Sequence, residues 1–155
     1  MLKQPVKIYW DASVFHALFA REPGRVEQCE RIEGAARNGL VVIYTSAITW
    51  VEVVRLKQTL RNDPANETII KKYFAHKYIK PITCDRIVGD VARSLLWAHS
   101  HLEYKDAIHV ASAVHAGIPT VLTYDSDFKP LNGTVGNPPL RICEPGGEND
   151  FILSN

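Results

Sequence analysis

Four acidic residues in this chain stand where chemistry could be done. Asp11 follows a strand-like run in Tyr9-Trp10-Asp11-Ala12-Ser13, and Asp125 follows another in Leu122-Thr123-Tyr124-Asp125-Ser126-Asp127-Phe128. Glu52 sits among Trp50, Val51, Val53 and Val54, where a carboxylate is either a solvated edge residue or a member of a polar site. Asp106 opens Lys105-Asp106-Ala107-Ile108-His109-Val110-Ala111-Ser112-Ala113, and His109, three residues on, shares its helical face. Each acid also has a purely structural reading. Asp11 and Asp125 can cap helices, Asp106 can answer a helix dipole, and His109 can be a hydrogen-bonded core histidine. Gathered in one place, however, carboxylates repel unless a cation compensates them. Oxygen ligands suit Mg2+ or Mn2+, and Cys and His do not fall at zinc-ligand spacing. Such ions activate water and steady both oxygens of a phosphoryl displacement, so these residues point to metal-dependent phosphodiester hydrolysis.

Acids so distant in sequence meet only if the fold brings them together. Runs rich in β-branched and aromatic residues at 7–10, 41–45, 80–83 and 120–123 predict strands, with 140–143 a weaker fifth. Segments of helical period at 14–20, 25–37, 47–60, 67–76, 86–100 and 105–116 alternate with them. Asn38-Gly39 and Gly117-Ile118-Pro119 supply helix stops, Asp85 reads as an N-cap, and Thr45-Ser46 as the N-cap of the helix bearing Glu52. The alternation predicts an α/β fold, a three-layer α/β/α sandwich around a mainly parallel sheet. In such sheets ligands bind at the carboxyl ends of strands, where Asp11 and Asp125 fall. An irregular loop is expected over 130–139. One domain should cover 1–145, followed by a flexible tail at 146–155 whose Phe151, Ile152 and Leu153 either dock or fray.

Composition sets the outer bounds. The chain has 155 residues, 46% hydrophobic and 23% charged, enough for one domain with a sizeable core. No apolar run approaches the ~18–20 residues of a membrane helix. The first residues lack a signal-like apolar stretch, so a cytoplasmic protein that avoids membranes is expected. With 18 Lys+Arg against 17 Asp+Glu, bulk charge does not favour coating nucleic acid, although a local basic patch would suffice to hold it. Cys29, Cys84 and Cys143 suit neither a disulfide framework nor a zinc knuckle and are expected to be buried free thiols.

In order along the chain, Asp-Ala-Ser after the first strand, Thr-Ser…Glu-Val, Lys-Asp-Ala-Ile-His-Val-Ala-Ser-Ala and Thr-Tyr-Asp-Ser-Asp-Phe resemble the PIN domain, and more narrowly its VapC-type toxin ribonucleases. The resemblance runs from Lys7 to about Pro145, and its most specific piece begins at Asp106. It implies an endoribonuclease leaving 5′-phosphate and 3′-hydroxyl ends, with Asp11, Glu52, Asp106 and Asp125 at the family's acidic positions. Asp11, Asp106 and Asp125 would bind metal, with Asp127 the alternative to Asp125. Glu52 would orient or deprotonate the attacking water, and Ser13 and Thr123 would support the cluster. The resemblance further implies a homodimer and a small VapB-like antitoxin whose basic side chain enters the pocket.

A polyanionic substrate needs cations near those acids. Lys57, Arg61, Lys71, Lys72, His76, Lys77 and Lys80 gather in the central segments, with Arg21, Arg25 and Arg31 a weaker group. Tyr73, Phe74 and Tyr78 lie among the first group; they stack on bases or else face the core. Two rival functions remain beside the nuclease: a PIN scaffold that binds RNA or protein without cutting, and a phosphatase with Asp11 as nucleophile. The second needs an Asp two positions on, where this chain has Ser13. A dinucleotide-binding Gly-x-Gly-x-x-Gly turn is absent after the first strand.

Overall fold

The computed structural model describes residues 3–57 and 61–147. Five apolar runs form strands at Val6–Trp10 (β1), Val41–Ser46 (β2), Ile79–Ile82 (β3), Thr120–Leu122 (β4) and Arg141–Cys143 (β5). They pair in parallel in the order β3-β2-β1-β4-β5. β1 is central. The direction of strand addition reverses between β1 and β4, and the crevice beyond their carboxyl ends is where open parallel sheets bind ligands. Tyr9 lies beside Val121 and Trp10 beside Leu122, so the chain leaves both strands at one level, with Asp11 and Thr123 as neighbours.

Among the described residues, six helices connect the strands: Ala12–Phe19 (α1), Val26–Arg37 (α2), Thr49–Glu52 (α3), Pro64–Phe74 (α4), Arg86–Ala98 (α5) and Tyr104–His115 (α6), with a 3-10 helix at Ser126–Leu131. Alternating strand residues feed opposite faces. Ile8, Trp10, Val41, Ile43 and Leu122 pack with α1, α2 and α4, while Tyr9, Ile82, Val121 and Ile142 pack with α5, α6 and the 3-10 helix. The result is the expected three-layer sandwich. No helix of the described residues is long and apolar enough to cross a membrane.

Several boundaries were legible and others were not. Asp85 caps α5 by accepting from Val88 N–H at 3.0 Å, and Gly39 and Gly117 take the left-handed conformation (φ 74° and 65°) that ends α2 and α6. The helix expected over 47–60 is instead the single turn of α3. Val53 leaves helical dihedrals (φ −104°, ψ 76°) and is buried in the core, so packing overrides the helical period there. Nor do Thr45 and Ser46 form the expected N-cap; Ile48 holds that position, Thr45 donates to Trp10 O, and Ser46 Oγ accepts from Ile48 N–H. α4 begins earlier than expected, because Asp63 caps it and Pro64 occupies its first turn. Of the cysteines, Cys29 is buried as expected, whereas Cys84 is exposed and Cys143 half-buried. Residues 58–60 of the expected helix lie outside the described residues, as do Phe151, Ile152 and Leu153.

Candidate active site

Asp11 is the residue that steps out of β1, and its carboxylate ties the exits of β1 and β4 together. Oδ1 accepts from Ser13 Oγ at 2.5 Å and more distantly from Val14 N–H at 3.4 Å, while Oδ2 accepts from Thr123 Oγ1 at 2.7 Å. The hydroxyls are themselves held, since Ser13 Oγ accepts from Tyr124 N–H and Thr123 Oγ1 from Asp125 N–H, both at 2.9 Å. Asp11 therefore caps α1 and sits in the crevice at once; the capping reading and the site reading are compatible. Burial pushes its carboxyl above the usual range, opposed by the hydrogen bonds from the Ser13 and Thr123 hydroxyls.

Asp106, in the first turn of α6, is buried, and the 3-10 helix brings Asp125 and Asp127 against it. The three residues offer carboxylate oxygens that lie within 4.8 Å of one another. Asp125 Oδ1 accepts from Asp127 N–H at 2.9 Å, capping the 3-10 helix, so the two acids that the sequence posed as alternatives stand together in space. Asp11 is outside this trio but linked to it through Thr123. Burial pushes the Asp106 carboxyl up to about 6, and the negative charge of Asp125 adds to the rise. Three oxygen ligands at this separation, one of them strained by charge, suit a hard divalent cation.

Glu52 ends α3, and its Oε1 lies 2.7 Å from His109 Nε2. His109 is buried, with its other nitrogen, Nδ1, 2.6 Å from Tyr9 Oη. Tyr9 Oη accepts from Ser46 N–H at 2.9 Å, and burial pushes its hydroxyl pKa far up, so it stays un-ionised. The core-histidine reading of His109 thus holds, and the histidine also reaches one of the four acids.

Two neighbours went unread in the sequence. His16, half-buried on α1, lies in the field of Glu52 and Asp11; burial lowers its pKa and both acids raise it. Lys105 precedes Asp106, helps hold that carboxyl down, and lies 3.7 Å from Glu103. A cleft of about 790 Å3 opens beside Glu52, bordered by Ile48, Val51, Leu102, Tyr104, Lys105 and Ile108.

Of the two readings of the aromatics around α4, the core-facing one holds. Tyr73 and Phe74 are buried, Phe74 stacking on Trp50 at 4.4 Å, and Tyr78 stacks on His76 and donates to Glu33. These aromatics face the core because α4 must cover β1 and α1. Lys57, Arg61, Lys71, Lys72 and Lys77 are exposed, with Lys71 3.6 Å from Glu67. Arg21 and Arg25 pair with Glu30 and Glu22.

Residues 8–133 match the family model of the PIN domain. No curated protein matches the sequence. Among solved structures, a toxin–antitoxin complex from Klebsiella pneumoniae aligns with a TM-score of 0.60 at 20% identity, covering 83% of this chain and 95% of that one. VapC20 of Mycobacterium tuberculosis, a Sarcin-Ricin loop cleaving toxin, aligns at 0.65 and 19% over 79% and 93%. A DNA-bound VapBC from Salmonella typhimurium aligns at 0.62 and 15% over 88% and 96%. At these identities the likeness is one of fold.

Proposed function

The chain belongs to the PIN-domain family, and on that premise we propose that it is a divalent-metal-dependent endoribonuclease, the toxin of a toxin–antitoxin pair. The single observation that carries this is the meeting of Asp106, Asp125 and Asp127 beside Asp11 at the switch point of a parallel sheet. Asp106, Asp125 and Asp127 would hold Mg2+ or Mn2+, with Asp11 bordering them. The bound ion supplies positive charge for a phosphate and acidity for a water. Glu52, held by His109, is placed to orient that water and accept its proton; Lys105 balances phosphate charge at the cleft; Ser13 and Thr123 keep Asp11 from turning away. In-line displacement then leaves a 5′-phosphate and a 3′-hydroxyl.

Partners follow from the same premise. VapC20 is described as cleaving the Sarcin-Ricin loop, and the Klebsiella neighbour is a toxin–antitoxin complex. Here the exposed Val51 and Tyr104 on the cleft beside Glu52 offer an apolar seat to an antitoxin segment whose basic side chain would meet the acids. The exposed Trp97 of α5 gives a second copy a place to pack. The lysines of α4 and its flanks would follow the RNA backbone without aromatic stacking. A one-domain unit over 1–145 with a separate tail, acting in the cytoplasm, completes the proposal.

Cleavage of RNA by the purified chain with Mn2+, against the same mixture with EDTA, tests it. Asp11→Asn and Asp106→Asn should each lose most of the rate while remaining folded. Full metal-dependent activity in both would overturn the site assignment, and Mn2+ binding without cleavage would favour the non-cutting scaffold.

A further inference from the structure

We propose that His109, oriented by Tyr9, is the positioning residue that aims Glu52 at the reacting water, an inference that rests on the nuclease reading and extends it to a residue with no assigned role. The donors run in one direction. Ser46 N–H at the end of β2 donates to Tyr9 Oη at 2.9 Å, so the Tyr9 hydroxyl proton is left to donate to His109 Nδ1 at 2.6 Å. With Nδ1 accepting, the imidazole proton sits on Nε2 and donates to Glu52 Oε1 at 2.7 Å. One carboxylate oxygen is thereby fixed and the other is left for the site. The chain of bonds joins β2 and α3, neighbours in sequence, to the distant β1 and α6, and fixes Glu52 at the point where Val53 drops into the core. His109 also stands three residues beyond Asp106 on α6, so the imidazole shares the helical face of one of the acids. A buried histidine needing only satisfaction could have used backbone carbonyls; this one spends its outward nitrogen on a carboxylate of the site.

The test uses the full chain with Mn2+ and a single-stranded RNA. His109→Leu should lower kcat roughly 10- to 100-fold, as loss of an orienting partner does, with KM and the Mn2+-induced rise in Tm retained. His109→Gln, which keeps an N–H at similar reach, should recover most of that loss. In a Glu52→Gln background, His109→Leu should add little, because both changes remove one interaction. Losses that add fully, a Gln variant as slow as Leu while folded, or a lost Mn2+ shift would each overturn the proposal. Cleavage by the wild-type chain tests the nuclease reading separately. The relay is also judged without activity, by 15N NMR of His109: a protonated Nε2 and a bare Nδ1 are expected, and a bare Nε2 would overturn it.

Discussion

Thr123 shows how much one hydroxyl does in this crevice. It donates to Asp11 Oδ2 and accepts from Asp125 N–H, so it links the acid leaving β1 to the acid leaving β4. Thr123→Val keeps the shape and removes both bonds; it should cost about 1–3 kcal/mol of stability, read by urea denaturation, because a buried carboxylate and a half-buried N–H lose their partner. Asp106 sets a pH dependence. Its carboxyl sits near 6 in the folded chain against an ordinary 3.8, so between those values the folded state holds a proton the unfolded state has lost. Its contribution to metal-free stability therefore falls as pH rises through that window, and a cation competing for the ionised form gains as pH rises past about 6. The Mn2+-induced rise in Tm should be larger at pH 7.5 than at pH 5, and Asp106→Asn should flatten the difference. At this scale the sequence disclosed all five acids, with Asp127 as the alternative to Asp125, but not which three stand closest together. Asp125 and Asp127 looked like alternatives because strand-end distance alone ranks them, and only the 3-10 turn brings both to Asp106.

Elements were readable where one period dominates. All five strands emerge at or within a residue of their expected bounds, since β-branched runs bounded by helix stops leave little choice. α3 was not readable. Trp50, Val51, Val53 and Val54 suit helix and core alike, and what decides is that Val53 finds a buried place among the residues on the α1 face of the sheet. Val53→Ala should then cost roughly 2 kcal/mol, whereas Val54→Ala, at an exposed position, should stay within about 0.5 kcal/mol. Equal effects in chemical denaturation would contradict this account of the turn. The aromatics of α4 left two readings open, stacking surface or buried face, for a related reason, and packing against Phe15 and Phe19 decided for the buried face.

At the scale of the molecule, a chain of nearly balanced charge is arranged asymmetrically. Asp11, Glu52, Asp106, Asp125 and Asp127 meet at one end of the sheet, while Lys57, Arg61, Lys71, Lys72 and Lys77 lie exposed in and around α4. The near-zero total hid this because it sums over a separation that only the strand order creates. A polyanion needs a cation to approach the acids, and RNA binding through exposed lysines should weaken with salt. The central claim is that the crevice acids work through a divalent ion on RNA. It is tested most directly by the RNA cleavage rate as Mn2+ is raised, for the wild-type chain and for Asp125→Asn and Asp127→Asn. A rate that rises with Mn2+, vanishes in EDTA, and needs more Mn2+ in each variant is predicted; cleavage indifferent to EDTA, or variants with the wild-type Mn2+ dependence, would contradict it.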